Sequence, residues 1–116
     1  MANANKAKGT RWETAIVRYL HEQGFTDARR VVQQGRADTG DIHVRDFVIQ
    51  AKAYNNVADG VRAGMAKVAA QRTHAGFEFG VAVVKRPRMN VRDGLVVMSL
   101  QEFARLLRAY YPDAPG

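Results

Sequence analysis

Two short strand-like segments, residues 40–44 and 47–53, are separated only by Arg45-Asp46. A connection that short predicts an antiparallel hairpin closed by a tight turn. It also fixes faces, because side chains alternate along a strand. On the second strand Phe47, Ile49 and Ala51 share one side, and Val48, Gln50 and Lys52 the other. Asp41 and His43 share one side of the first. Such a hairpin can bring Asp41 close to Gln50 and Lys52. A carboxylate, an amide oxygen and a lysine together are suited to holding a divalent cation and placing a positive charge beside a phosphate.

The charge distribution points to the same partner. The net charge of the 116 residues is +7. Residues 1–36 hold seven Lys/Arg against three acids, and residues 61–92 hold seven against one. Between them, residues 37–60 hold two against four, and residues 93–116 hold two against three. The acidic segment that carries Asp41 is thus flanked by two basic ones. Cations for a phosphate backbone around carboxylates for a metal suit a nuclease. A generic basic protein kept soluble by its charge is the alternative.

The length allows one domain with a modest core. The chain has no cysteine, which excludes disulfides and thiolate metal sites and fits a reducing compartment. No apolar run reaches membrane-spanning length, so a cytoplasmic protein is expected. Residues 1–8 read as a flexible basic arm, 9–111 as the domain and 112–116 as a tail.

The rest of the chain predicts an α/β layer structure with a central mixed sheet flanked by helices. A first helix is expected over residues 10–23, ended by Gly24, with Trp12, Ile16, Val17, Tyr19 and Leu20 as its apolar arc. Thr10-Arg11-Trp12-Glu13 matches a capping box, but Glu13 also falls inside that arc, where a carboxylate needs a partner. Capping and a site role both stay open for Glu13. A strand is expected over 29–34 with Val31 and Val32 at its centre, ahead of the hairpin. A helix over 57–74 should bury Val57, Val61, Met65 and Val68. Strands over 77–84 and 95–98 follow. Ser99-Leu100-Gln101-Glu102 matches a second capping box and opens a helix with Leu100, Phe103, Leu106, Leu107 and Tyr110 inward. The order is αβββαββα.

A helix with Glu13, then Gly40-Asp41, then Gln50-Ala51-Lys52 in a hairpin, then a helix, resembles the PD-(D/E)XK nuclease superfamily. The small single-domain form is similar to archaeal-type and phage Holliday junction resolvases, over roughly residues 6–86. The resemblance implies a restriction-endonuclease-like fold and a Mg²⁺- or Mn²⁺-dependent endodeoxyribonuclease of DNA recombination. It implies 5′-phosphate and 3′-hydroxyl products, a homodimer on a four-way junction, and a bacterial or phage-infected host cell. Asp41 would be the principal metal ligand, joined by Gln50, the Ala51 backbone carbonyl and Glu13, with Lys52 orienting the attacking water or stabilising charge at phosphorus. The family usually has Glu or Asp where this chain has Gln50, which offers an oxygen but no charge. Mrr-type restriction endonucleases of the superfamily carry a similar Gln-Ala-Lys.

Lys6, Lys8, Arg11, Arg36, Lys85, Arg86 and Arg88 are the candidates for DNA backbone contacts. Gln71, on the helix after the motif, is a weaker one, and His43 a weak site candidate. No pair of histidines has zinc-ligand spacing. The final helix, with Leu106, Leu107, Tyr110 and Tyr111, is a candidate dimer surface that could equally close the monomer core. A repair or restriction-like nuclease, and a non-catalytic DNA-binding relative, remain the alternatives.

Overall fold

The computed structural model describes residues 3–32, 35 and 37–116. The helix α1 (Asn3–Glu22) is followed by β1 (Arg29–Arg30) and the hairpin β2 (Ile42–Val44) and β3 (Phe47–Lys52). Then come α2 (Val57–Ala75), β4 (Phe79–Val84), a short 3₁₀ turn (Val91–Asp93), β5 (Leu95–Val97) and α3 (Leu100–Tyr110). The five strands form one mixed sheet in the order β1-β2-β3-β4-β5, with β3 and β4 parallel and the other neighbours antiparallel. The parallel pair follows from the α2 crossover, since a helix between two strands returns the chain in the same direction.

The hairpin is as the spacing required. Ile42 pairs with Ile49, His43 with Val48 and Val44 with Phe47, and Arg45 takes a positive φ of 50° in the turn. Alternation along β3 sorts the two sides of the sheet. Ile49, with Ile42, Val44, Val81 and Val83, packs against Trp12 and Ile16 of α1. Gln50 and Lys52 face the opposite side, toward α2. Trp12 ties α1 to the sheet by donating Nε1–H to the Val83 carbonyl at 3.1 Å.

α2 lies unusually near the sheet. A Cβ on Gly64 would sit 2.7 Å from Ala82 Cβ, and one on Gly60 would sit 2.8 Å from Val84 Cγ1. Both glycines are required by this close approach rather than by backbone angle. The buried stripe of α2 is Gly60, Gly64, Val68 and Gln71, with Val57, Val61 and Met65 only half-buried at its margin. The apolar reading therefore placed the buried face slightly off, because glycine and glutamine occupy its centre. Asn56 caps the helix by accepting from the Asp59 N–H, and Gly76 ends it in the left-handed region.

Five other expectations change. α1 begins at Asn3, so Thr10 lies inside the helix and caps nothing; Ala4, Lys6, Ala7 and Lys8 are good helix formers and Gly9 is tolerated among them. The first strand is confined to Arg29–Arg30, continued by one bond from Val31 N–H to the Asp41 carbonyl, and Val32 is 77% exposed. Residues 33 and 34 of that expected strand lie outside the described residues. β2 starts at Ile42, leaving Gly40 and Asp41 in the loop before it. Ser99 does cap α3 by accepting from the Glu102 N–H, but the Glu102 carboxylate takes the Gly80 N–H at 2.7 Å instead of closing the box. Finally, α3 buries no residue, and Leu100 (81%), Phe103, Leu107 and Tyr110 are exposed.

Candidate functional site

The site forms where the hairpin strands part. β2 begins only at Ile42, while β3 continues past its partner through Gln50, Ala51 and Lys52. Beyond the last paired residues the Asp41 carboxylate takes over the ladder, accepting the Ala51 N–H through Oδ2 at 2.8 Å, while the Asp41 N–H donates to the Ile49 carbonyl at 3.0 Å. The preceding Gly40 makes this possible. Its φ is +92°, and a Cβ there would collide with Val48 Cγ1 and approach the Ile49 carbonyl oxygen to 3.4 Å. Only glycine fits the bend that turns Asp41 against the strand.

Because the N–H and C=O of a strand residue point to the same side, the Ala51 carbonyl lies on the edge where the Asp41 carboxylate sits. Asp41 is pushed above the ordinary carboxylate range, first by burial. The Ala51 hydrogen bond and the Lys52 charge oppose this, and the nearby charges of Glu13 and Asp38 add to it. Glu13 of α1 and Asp38 of the loop thus both bear on Asp41. A cation bound beside Asp41 would offset that field and favour its ionised form.

Glu13 points to this region from α1, with Oε1 accepting from Arg30 Nε at 3.0 Å; this pair is partly exposed and solvent-screened. Lys52 extends from β3 on the α2 side, its Nζ 5.9 Å from the centre of the Tyr54 ring. Among the described residues it forms no ion pair with Asp41. Gln50 is 6% exposed, and its Oε1 accepts from Gln71 Nε2 of α2. His43 is a structural residue: Nε2 donates to the Thr39 carbonyl at 2.7 Å, Nδ1 faces Arg29, and its ring packs on Phe77.

Two residues of this centre were not among the sequence-derived site set. Asp38 accepts from the Gly40 N–H through Oδ1 at 3.0 Å and from Gln71 Nε2 through Oδ2 at 2.9 Å. Burial opposes its ionisation, but these hydrogen bonds, with Lys67 and Lys52 nearby, hold its carboxyl below the usual range. Gln71, weighed only as a DNA contact, is instead 1% exposed and bridges Asp38 to Gln50. Both carried a signal. Asp38-Thr39-Gly40 is an Asx-turn pattern, and Gln71 continues the Gly60, Gly64, Val68 stripe of one helix face.

The donor set consists of hard oxygens, which suit Mg²⁺ or Mn²⁺. Among the described residues no three His, Asp or Glu side chains converge as a ready-made metal cage. Mg²⁺ is typically held by one or two carboxylates plus water and substrate phosphate, so Asp41, the Ala51 carbonyl and one further oxygen fit its habit. One buried oxygen here, Gln71 Oε1, has no hydrogen-bond partner, which also fits a centre that takes up a cation.

The basic candidates divide. A cleft of about 550 Å³ runs beside Ala51 and Lys52 and includes Lys8, whose Nζ donates to Asn55 Oδ1 at 2.6 Å. A neighbouring cleft of about 520 Å³ is lined by Lys8, Arg11 and Lys85. The fold therefore gathers three cations from α1 and the end of β4 next to the open end of the hairpin, which bears Lys52. Lys6, Arg86 and Arg88 are exposed and line neither cleft, and Arg36 lies outside the described residues. No helix among the described residues is long and apolar enough to cross a membrane. Comparison of the chain with family models, curated proteins and solved structures finds no match.

Proposed function

We propose that this chain is a metal-dependent DNA endonuclease of the PD-(D/E)XK type, with a restriction-endonuclease-like fold, acting on branched DNA as a Holliday junction resolvase. The observation that carries the reading is the Asp41 carboxylate turned against Ala51 of the strand that also presents Gln50 and Lys52. Asp41, the Ala51 carbonyl and the Gln50 side-chain oxygen would hold Mg²⁺ or Mn²⁺, with Glu13 joining directly or through water. A bound metal supplies an acidified water and neutralises charge on the scissile phosphate. Lys52 places a fixed cation beside that phosphate, where negative charge builds up during hydrolysis. Lys8, Arg11 and Lys85 hold the DNA backbone alongside. The work of the fold is to keep Asp41 and Lys52 at one hairpin end, so that neither has to be ordered when substrate arrives.

Symmetric resolution of a four-way junction needs two such sites, hence a two-fold dimer. The exposed apolar side of α3 is the surface we assign to it.

The test is cleavage of a synthetic four-way junction against linear duplex of the same sequence, with Mg²⁺ or Mn²⁺. Paired symmetric nicks in the junction alone, lost in Asp41→Asn and Lys52→Ala, are expected. Equal cutting of duplex would leave a nuclease of the repair or restriction kind. Tight, salt-sensitive binding without cutting by either metal would leave a DNA-binding relative. That outcome has its own structural motive, since Gln50 Oε1 is engaged by Gln71.

A further inference from the structure

Gln50 brings an oxygen to the site but no charge, so the proposed metal would face a weaker field than two carboxylates give. The side chains around it show where a second charge sits. The single carboxamide nitrogen of Gln71 donates both to Gln50 Oε1 and to Asp38 Oδ2, while its own Oε1 is buried without a partner. Two side-chain oxygens thus share one amide NH₂, and the oxygen of that same carboxamide is buried with no donor; Gln50 and Gln71 are buried there and Asp38 is half-buried. An oxygen-rich, donor-poor centre favours a cation. Asp38 is fixed there as an anion, its other oxygen held by the Gly40 N–H immediately before Asp41.

We propose that Asp38 supplies the metal site with the negative charge that Gln50 lacks, and that Gln71 is the positioning residue that couples the two. The inference rests on the reading of Asp41 as principal metal ligand. Asp38 and Gln50 then act as a divided glutamate, with the charge on the loop, the coordinating oxygen on the strand, and Gln71 as the crosspiece from α2. The merely structural alternative is that Asp38 only clamps the loop, through the Gly40 N–H and through its own carbonyl, which takes His74 Nδ1 at 3.1 Å.

The two roles separate in Mn²⁺ titration calorimetry of the full chain, with a metal-free thermal melt run on each variant. Asp38→Asn keeps an oxygen for the Gly40 N–H, and its NH₂ then meets the Gln71 amide; turning over the Gln71 and Gln50 carboxamides restores both hydrogen bonds, so the fold should survive. Asp38→Ser, which keeps a hydroxyl acceptor, is the second variant should it not. Loss of charge is expected to weaken Mn²⁺ binding about tenfold or more. Adding Gln50→Glu to Asp38→Asn should bring binding back to within about threefold of the wild type, because the charge returns on the strand. A charge-free variant that binds Mn²⁺ as the wild type does, or a double variant as weak as the single, overturns the proposal. Asp41→Asn separates its failure from that of the nuclease reading. If Asp41→Asn abolishes Mn²⁺ binding while Asp38→Asn leaves it unchanged, only the divided-glutamate proposal falls. If Asp41→Asn also binds normally, or the wild type takes up no Mn²⁺, both fall.

Discussion

α2 and α3 are both amphipathic by sequence, yet one is set into the sheet and the other stands off it. α2 meets β3 and β4 through Gly60 and Gly64, so closely that a single methyl group would collide. It presents Gln71 to the site and fixes Gln50 and Asp38. α3 is held by the Glu102 carboxylate on the Gly80 N–H, with Arg105 and Arg72 around it, and only Leu106 is turned toward the core, half-buried, while Leu100, Phe103, Leu107 and Tyr110 face outward. Large apolar residues here mark the looser contact and glycines the tighter one. Distance between backbones, not side-chain hydrophobicity, decides which helix can hold a site in place.

The sharpest way to break that comparison is to thicken the close contact. Gly64→Val places branched carbons where Ala82 Cβ already stands 2.7 Å from a bare Cβ position. Ala82 belongs to a central strand and has no rotamer to yield. A loss of about 3 kcal/mol or more is expected, or failure to fold, read by urea unfolding. Near-wild-type stability would mean that α2 can lift off the sheet and that its placement of Gln71 is adjustable.

Gly40→Ala comes next. It strains a backbone at φ +92° and drives a methyl into Val48. A cost of roughly 1–3 kcal/mol is expected from the backbone alone. The Asp41 hydrogen bond to Ala51 should weaken with it, seen as faster amide exchange at Ala51.

Asp41 and Asp38 lie three residues apart and shift in opposite directions, which makes pH a finer probe. Asp41 is raised from 3.8, so between 3.8 and its higher folded value the native state binds the extra proton. Stability present below 3.8 is then lost as pH rises through that window. Asp41→Asn should therefore be the more stable protein above the window, by about 1 kcal/mol or less. The difference should vanish near pH 3.8 and reverse at neutral pH when Mg²⁺ is added, since only the wild type gains by binding it. Asp38 is lowered from 3.8, so its contribution stands above 3.8 and is lost as pH falls through its depressed folded value. Asp38→Asn should flatten that acid limb. Stability curves of the three proteins across acid pH check both signs.

The same contrast explains what the sequence made legible. The hairpin, its register and the shared face of Gln50 and Lys52 follow from alternation and a two-residue turn, and were readable. Gly40-Asp41 was readable as a motif, although the positive φ that makes Gly40 necessary was not. The buried stripe of α2 was misplaced because periodicity counts apolar side chains, while close packing here selects for having none. The inward face of α3 was misjudged for the converse reason. An apolar stripe says that something covers it, not that the same chain does. Asp38 and Gln71 escaped as site residues because their partnership spans a loop and a distant helix.

The smallest expected effect tests that last point. Leu107 and Phe103 are exposed on α3, so Phe103→Asp and Leu107→Asp remove little from a lone chain, within about 0.5 kcal/mol in the melt of a dilute sample. If a second copy covers this face, as the resolvase reading requires, each variant would bury an unpaired charge in the interface and the assembly should fall apart. Residues 93–116, nearly balanced in charge on a chain of +7, are also where two such copies repel least. Light scattering at increasing concentration reads the outcome directly. A wild-type mass that doubles, beside variants that stay monomeric with unchanged melts, would make α3 the looser helix in the monomer and the tighter one in the dimer. A wild type that stays monomeric at every concentration would remove the dimer and, with it, paired cutting of junctions.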